Sequence, residues 1–257
     1  MREEMIMELP ALYRDSLRIR GFLFGEGEKS VCIVGAQRGN EYQQMYVTSL
    51  LIRRFREAEE RGNIMKGKQI CIIPCVNPYS VNAKKRFWTA DNTDINRMYP
   101  GYDKGETTQR IAAALFDVAK EYRYGIQLAS FYMPGSFLPH IRIMKTGLED
   151  PAMALKFGFP YVVLHTPRPF DTTTLNYNWQ IWDTSAFSIY TTSTDIIDPA
   201  SADQKVEKGA HLADILDAYD GSVRYSITAP DTGYILFIHF SDITYADTSV
   251  FKLIRER

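Results

Sequence analysis

The sequence predicts an α/β fold with a largely parallel sheet flanked by helices, followed by a small all-β module. Residues 30–35 (Ser-Val-Cys-Ile-Val-Gly) and 69–74 (Gln-Ile-Cys-Ile-Ile-Pro) are short apolar runs bounded by turn residues, a pattern typical of strands buried on both faces. Between them, residues 41–61 carry apolar residues such as Met45 and Leu51 at helical spacing. Strand, helix and strand in this order indicate parallel pairing through a crossover helix.

The remaining elements follow from the same two periodicities. A second helix is predicted over residues 107–121, where Ile111, Leu115 and Val118 fall on one face. Further strands are predicted at residues 124–130, 141–144, 161–165 and 187–191. After about residue 200 the pattern changes to short strands separated by turns that contain Gly and Pro. The sequence therefore divides into a predicted α/β domain, residues 1–200, and a small β module, residues 201–257.

Composition and charge exclude several function classes. Thirty basic residues against 31 acidic ones give a net charge of −1, without the clustered basic face that nucleic-acid binding needs. No segment approaches the roughly 18–20 apolar residues that cross a bilayer. The first residues carry acids and lead into no apolar signal core, so secretion is not expected. The three cysteines lie in apolar runs and fit buried thiols in a reducing cytoplasm.

The most informative residues lie between the first predicted strand and the second predicted helix. They are Gly39-Asn40-Glu41, Asn77-Pro78, Arg86 and Asp94-Ile95-Asn96-Arg97-Met98-Tyr99-Pro100-Gly101. In these residues the chain resembles the succinylglutamate desuccinylase/aspartoacylase family of the zinc carboxypeptidase superfamily. The resemblance implies a mixed, largely parallel sheet flanked by helices, the zinc carboxypeptidase-like (phosphorylase/hydrolase-like) fold. It also implies a C-terminal β module, which here resembles the barrel-sandwich folds of biotinyl and lipoyl domains.

The metal-binding half of the family pattern is altered in this chain. The family binds zinc through a His, a Glu three residues later, and a second His in an Asp-Leu-His triplet. Glu41 matches the Glu, whereas Arg38 and Ala129 stand at the two His positions. A guanidinium stays protonated and has no lone pair to give to a metal. The resemblance therefore implies a divergent member with a degraded metal site and no zinc cofactor.

Loss of the metal would leave Glu41 partly buried and unpaired, which is costly. Arg38, three residues away, can satisfy the carboxylate through charge-assisted hydrogen bonds. We therefore predict an Arg38–Glu41 ion pair where the family holds zinc, with Arg38 adding positive potential to the site.

The substrate-binding half of the pattern is retained. Arg86 matches an Arg that contacts the substrate, and Asn96 and Arg97 match a pair that binds its terminal carboxylate. The catalytic Glu position is taken by Tyr190, a poor base near neutral pH because its unperturbed pKa is about 10. The resemblance implies that the ligand is a small carboxylate, an N-acyl amino acid or a peptide. It is also compatible with a homo-oligomer.

Two functional interpretations remain open from the sequence. In the first, the chain is catalytically impaired and binds a carboxylate ligand. In the second, it is an active metal-dependent deacylase or carboxypeptidase with a rearranged site, in which Glu41 and one His would serve and Cys75, next to Asn77-Pro78, is a further candidate. His165, at the end of an apolar strand, is the favoured His, whereas His140 lies in a Pro-His-Ile-Arg segment that matches a non-ligand segment of relatives. A third possibility, partner binding through the β module, has no sequence feature to recommend it.

Overall fold

The computed structural model describes residues 1–10, 15–131, 135–191, 194, 205–216, 222–239 and 249–255. In chain order the strands are β1 (Arg2–Leu9), β2 (Leu17–Phe24), β3 (Glu28–Ala36), β4 (Lys68–Cys75), β5 (Tyr124–Ala129), β6 (Gly135–Phe137), β7 (His140–Met144), β8 (Val162–His165), β9 (Ser185–Tyr190), β10 (Lys205–Val206), β11 (His211–Leu216), β12 (Val223–Thr228), β13 (Gly233–His239) and β14 (Phe251–Arg255). The helices are α1 (Tyr42–Glu60), α2 (Pro78–Asn82), α3 (Thr107–Ala119), α4 (Pro151–Leu155) and α5 (Leu175–Ile181), with 3-10 helices at Ile95–Arg97 and Pro169–Asp171. Within the described ranges, no helix is long and apolar enough to cross a membrane.

The described residues form two compact units, 1–131 with 139–194, and 135–138 with 205–255. In the first unit, eight described strands form one sheet in the order β1-β2-β4-β3-β5-β9-β7-β8. Strands β4, β3, β5 and β9 are parallel neighbours, as are β7 and β8. Strands β1 and β2, β2 and β4, and β7 and β9 pair antiparallel. The predicted mixed, largely parallel sheet is confirmed.

The parallel pairing brings the ends of four strands to one edge of the sheet. Ala36 at the end of β3 pairs with Cys75 at the end of β4, and Ala129 at the end of β5 pairs with Tyr190 at the end of β9. Strand β7 runs in the opposite direction, so its first residue, His140, lies opposite Tyr190. Sites of open α/β sheets form at such carboxyl ends. The segments that follow β3, β4 and β5 therefore begin next to one another.

The predicted strands and helices of the first unit are all present, with bounds that differ by a few residues. The antiparallel pair β1–β2 was not predicted. Its signal is the alternation in the first part of β2, where Leu17 and Ile19 are buried and Arg18 and Arg20 are exposed. Period-two alternation of this kind marks a strand with one buried face.

The principal core lies between one sheet face and helices α3 and α5. Trp179 on α5 is fully buried, and its indole N–H donates to the carbonyl of Ala119 at 3.1 Å. The ring lies over Gly125 of β5, where an added Cβ would come within 2.5 Å of it. Gly125 is therefore required for close packing of helix on sheet, and this packing fixes the strand that ends at Ala129.

The described part of the second unit is all-β and antiparallel, which confirms the predicted class of the C-terminal module. Strand β13 pairs with β10, β14 and β6, and β11 pairs with β12. The pairing of β6 with β13 was not expected, because residues 135–138 lie within the range 1–200 that the sequence assigned to the α/β domain. A three-residue strand carries too little pattern to show its partner.

Candidate functional site

At the carboxyl edge of the sheet, the guanidinium of Arg38 lies between two carboxylates. Its Nη1 donates to Glu41 Oε1 at 3.0 Å, and its Nη2 donates to Asp94 Oδ2 at 2.8 Å. Its Nε reaches both oxygens of Asp94 at 3.1 Å. The side chains are 8%, 2% and 16% exposed for Arg38, Glu41 and Asp94 respectively. The predicted Arg38–Glu41 ion pair is therefore present, as part of a buried cluster of three charges.

The carboxylate of Glu41 is fully engaged by neighbouring donors. Its Oε2 accepts from the backbone N–H groups of Gln37 at 2.7 Å and Arg38 at 3.1 Å. Its Oε1 accepts from the hydroxyl of Ser130 in addition to Arg38. The turn between β3 and α1 thus folds back on the side chain that precedes the helix. Both carboxylate oxygens of Glu41 are therefore occupied by two donors each.

The electrostatics of the cluster correct one expectation. Arg38 was expected to add positive potential to the site, but one guanidinium here faces two carboxylates, so the formal charge of the cluster is −1. Burial alone would lower the pKa of Arg38, but Asp94 and Glu41 more than compensate and raise it. Arg38 is therefore a charged structural partner of Glu41 and Asp94, and the positive potential for an anion must come from other residues.

Asp94 and Ser130 were not identified as partners of this pair from the sequence. A guanidinium has five N–H donors, and a single carboxylate cannot accept from all of them. A second acceptor is therefore predicted for any buried Arg. Asp94 was visible as part of the retained motif, although its role was not. Ser130 carried no signal beyond its place after Ala129.

The other two altered positions lie side by side. Ala129 ends β5, and its carbonyl accepts from Gln44 Nε2 at 3.0 Å, while its methyl group offers no donor atom to a metal. Tyr190 is 4% exposed, and its ring stacks on that of His140 with centroids 4.7 Å apart and planes 1° apart. Phe131 packs against Tyr190 at 4.8 Å, and the guanidinium of Arg142 lies 4.8 Å from its ring centre. Tyr190 is therefore part of an aromatic stack.

Two of the residues considered for a rearranged zinc site, Glu41 and His165, are paired with other side chains. Across the described ranges, no three His, Cys, Asp or Glu side chains are grouped so that they could hold one metal ion. Of the rearranged set, Glu41 is bound by Arg38, and His165 is bound by Asp171. Burial raises the pKa of Cys75 to about 12, with the nearby Glu41 charge contributing and a backbone N–H opposing, so this thiol stays protonated at neutral pH.

Arg86 lies next to this cluster. Its Nη1 donates to the carbonyl of Phe131 at 3.3 Å and to Asn40 Oδ1 at 3.5 Å, and its guanidinium lies 5.5 Å from the ring centre of Phe87. The carbonyl of Arg86 accepts from the N–H of Gly39 at 3.0 Å. These contacts join three segments that are distant in the sequence, so Arg86 is held at the edge where the strands end.

Asn96 and Arg97 lie in the 3-10 helix that Asp94 caps through the Asn96 N–H at 3.0 Å. Asn96 Oδ1 accepts from the N–H of Leu175 at 3.2 Å, which ties this turn to the start of α5. Arg97 is 35% exposed on its side chain, and its Nη1 donates to the carbonyl of Phe170 at 2.6 Å. The same nitrogen is 3.5 Å from Asp171 Oδ1. The structure thus adds Asp171, which the sequence did not single out.

Comparison with known proteins identifies a family whose sequence pattern this chain matches. Residues 27–174 match the model of the succinylglutamate desuccinylase/aspartoacylase catalytic domain. A curated relative, N-alpha-acetyl-L-2,4-diaminobutyric acid deacetylase of Halomonas elongata, is 24% identical over 149 residues, which cover 54% of this chain. The aligned part spans 41% of that relative's length.

Solved structures show the same fold over nearly the whole chain. An aspartoacylase family protein from Mesorhizobium loti has a TM-score of 0.77 at 19% identity, covering 99% of this chain and 94% of that one. A succinylglutamate desuccinylase from a Silicibacter species has a TM-score of 0.75 at 15% identity, covering 98% and 94%. The product-bound ectoine utilization protein EutE from Ruegeria pomeroyi has a TM-score of 0.74 at 16% identity, covering 96% and 93%.

Proposed function

Because the chain belongs to the succinylglutamate desuccinylase/aspartoacylase family, we propose that it is a non-hydrolytic member that binds a small carboxylate ligand. The ligand class is an N-acyl amino acid or a short peptide with a terminal carboxylate. Arg86 and Arg97 would supply the cationic contacts, and Asn96 would contribute its amide N–H₂ group, since its Oδ1 is used by Leu175.

The observation that carries the proposal is the position of Arg38 between Glu41 and Asp94. Glu41 matches a zinc ligand of the family, and here its Oε1 accepts from a guanidinium and from Ser130. A divalent cation at this carboxylate would lie within a few ångströms of the Arg38 charge, and the two would repel each other. We infer that the guanidinium has replaced the metal as the counter-ion of Glu41, and that no metal-bound water is formed.

The residue at the family's base position supports the same proposal. Amide hydrolysis in this class needs a carboxylate that takes a proton from the attacking water and returns it to the leaving amine. Tyr190 stands at that position, buried against His140 and Phe131. A phenol with an ordinary pKa of about 10 is a weak acceptor near neutral pH. We therefore propose that this chain lacks the metal and the base together.

The family's ligands suggest which compounds to test. The curated relative is a deacetylase of N-acetyl-diaminobutyric acid, and a structural relative is a product-bound ectoine utilization protein. Anionic groups are held best by arginine, because its planar donors match a carboxylate. N-acetyl-L-aspartate, N-succinyl-L-glutamate and N-acetyl-L-2,4-diaminobutyrate are the probes that follow.

We also propose a cytoplasmic location, which three free thiols favour, and a homo-oligomer as the state to be measured.

The test combines binding and turnover on the same samples. Isothermal titration calorimetry with the three probes should give saturable binding of at least one of them, and NMR of the mixtures should show no released acyl group. Arg97→Gln should abolish the binding, whereas Arg110→Gln, which removes an exposed arginine on α3, should leave it unchanged. Hydrolysis that scales with added enzyme would overturn the proposal, and so would equal binding by the Arg97 variant.

A further inference from the structure

Asp171 uses its two carboxylate oxygens for two different partners. Oδ1 lies 3.5 Å from Arg97 Nη1, and Oδ2 is 2.9 Å from His165 Nε2. We propose that Asp171 is a built-in counter-ion of Arg97 and competes with ligand carboxylates for its guanidinium. The attraction of Asp171 for Arg97 weakens when His165 is protonated. This inference rests on the proposed function, because it takes Arg97 as the ligand's anion contact.

The carboxylate itself is fixed in place. Asp171 ends a 3-10 helix, its Oδ2 accepts from the N–H of Arg168 at 3.0 Å, and its side chain is 5% exposed. Its carbonyl accepts from the N–H of Thr174 at 3.0 Å and from the Thr174 hydroxyl at 2.7 Å. Movement of Asp171 towards or away from either partner is therefore small. What can change is the strength of the attraction between the Asp171 charge and each of its two partners, Arg97 and His165.

Arg97, in contrast, makes only a long contact on the side that faces Asp171. Its shortest contact is the neutral carbonyl of Phe170 at 2.6 Å, and its guanidinium lies 5.1 Å from the exposed Phe170 ring. The contact with Asp171 is the longer one, and the side chain remains 35% exposed. A partly exposed ion pair of this length contributes little to stability. A ligand carboxylate can therefore take the guanidinium from Asp171 without disrupting the fold.

The surroundings of Asp171 are cationic. Arg97 approaches from its 3-10 helix, Arg142 acts on the carboxylate from β7, and Arg168 lies at the start of its own turn. Lys145, exposed after β7, lies beside His165 and donates its N–H to the His165 carbonyl at 2.8 Å. Burial alone would raise the pKa of Asp171, but the Arg168 N–H, His165 and the Arg142 charge hold it below its ordinary value. The carboxylate of Asp171 is therefore charged near neutral pH.

The direction of the pH effect follows from linkage. When a ligand anion draws Arg97 away, the charge of Asp171 acts more fully on His165, and the imidazolium is favoured. Ligand binding is then accompanied by proton uptake, so the affinity rises as the pH falls and His165 takes up a proton. The expected gain is about two- to fivefold, the size of the coupling that a partly exposed ion pair supports.

The first test needs no ligand. The chain has four histidines, so the ring signals of His165 can be assigned and titrated by NMR. Asp171→Asn should lower the pKa of His165, and Arg97→Gln should raise it, because each variant changes how the Asp171 charge is shared. His211, which makes a separate 2.9 Å contact with Asp214, is the internal control and should titrate unchanged in both variants. The same His165 pKa in Arg97→Gln as in wild type would overturn the proposal that Asp171 is the counter-ion of both Arg97 and His165.

The second test measures the competition. Binding of N-acetyl-L-aspartate is followed by calorimetry from pH 5.5 to 8.5, with a pair of buffers that differ in ionisation heat to count the protons taken up. Wild type should show the gain at low pH, His165→Gln should hold the weaker high-pH affinity throughout, and Asp171→Asn should bind more tightly at pH 8 with most of its pH dependence lost. Asp117→Asn removes an exposed carboxylate paired with Lys120 and should behave as wild type.

The outcomes separate the two proposals. An unchanged pH profile in the Asp171 variant would show that His165 acts on the ligand directly, and the inference would fail while the proposed function stands. If no variant binds any of the three acyl amino acids at any pH, the proposed function fails, and the competition for Arg97 fails with it. The ligand-free titration still decides in that case whether Asp171 is shared between the two cations.

Discussion

Replacing Arg38 by methionine is the perturbation that bears most directly on the structure of the site. The variant keeps an unbranched side chain of similar length but removes the charge and all donors. Glu41 and Asp94, 2% and 16% exposed on their side chains, would lose the cation between them. Removing one partner of a buried ion pair costs about 3–5 kcal/mol, because the remaining charge has no compensation. Here two carboxylates lose their partner at once, so we expect the upper part of that range.

The loss should appear as a lower melting temperature. For a protein of this size, 1 kcal/mol corresponds to a shift of about 2–4 °C, so Arg38→Met should lower the melting temperature by roughly 10–20 °C. Scanning calorimetry measures the shift, and urea unfolding gives the free energy independently. Arg110→Met is the matched control, because Arg110 is an exposed arginine on α3, and it should change the free energy of unfolding by less than about 0.5 kcal/mol.

A double-mutant cycle separates the ion pair from general packing. Glu41→Gln alone leaves Arg38 paired with Asp94. The double variant Arg38→Met with Glu41→Gln removes one of the two carboxylates that Arg38→Met leaves uncompensated, and Asp94 remains. The double variant should be more stable than the sum of the single effects predicts, by about 1–3 kcal/mol. Additive effects, or a loss below about 1 kcal/mol for Arg38→Met, would refute the conclusion that Arg38 is the essential counter-ion of Glu41.

Three further predictions follow from the same contacts. Arg38→His combined with Ala129→His should bind zinc measurably by equilibrium dialysis, whereas either single change should not, because zinc sites need three protein ligands. Gly125→Ala should cost about 1–3 kcal/mol in urea unfolding, since its Cβ would lie 2.5 Å from Trp179; a neutral effect would show that α5 can shift away. Because burial raises the pKa of Cys75 to about 12, iodoacetamide at pH 8 should modify it far more slowly in the native protein than in urea, as peptide mass spectrometry can show.

Much of the α/β fold could be predicted because its central strands are continuous apolar runs. Strands β3 and β4 are buried on both faces, and such runs separated by an amphipathic helix leave few alternatives. The β1–β2 pair was missed although β2 alternates clearly, since the charged residues between its apolar ones hid the run. The placement of β6 beside β13 depends on contacts between distant segments, and a three-residue strand gives no local signal for it.

The site could be predicted only where the partners are close in sequence. Arg38 and Glu41 are three residues apart, and the cost of burying an unpaired carboxylate was enough to predict their contact. Asp94 and Ser130 reach Arg38 and Glu41 across 56 and 89 residues, and the fold alone brings them there. The predicted charge of the site was wrong for this reason, because the second carboxylate, Asp94, offsets the positive potential expected of Arg38.

His165 shows how an unassigned residue can be placed by a partner that carries no motif. As a histidine at the end of an apolar strand, it was the favoured ligand for a rearranged metal site. In the structure its ring is bound to Asp171, whose other oxygen faces Arg97. Asp171 lies in a turn without a distinctive pattern, so its contact with Arg97 follows from the structure and could not be predicted from the sequence.

The zinc content of the protein decides whether the Arg38 guanidinium has replaced the metal at Glu41. Elemental mass spectrometry of tag-free protein, before and after incubation with Zn²⁺ and removal of unbound metal, gives the zinc bound per chain. We predict a value near zero in both samples, because Arg38 is already the counter-ion of Glu41 and Ala129 provides no ligand. About one zinc per chain in either sample would contradict it and would show that a metal displaces the guanidinium from Glu41.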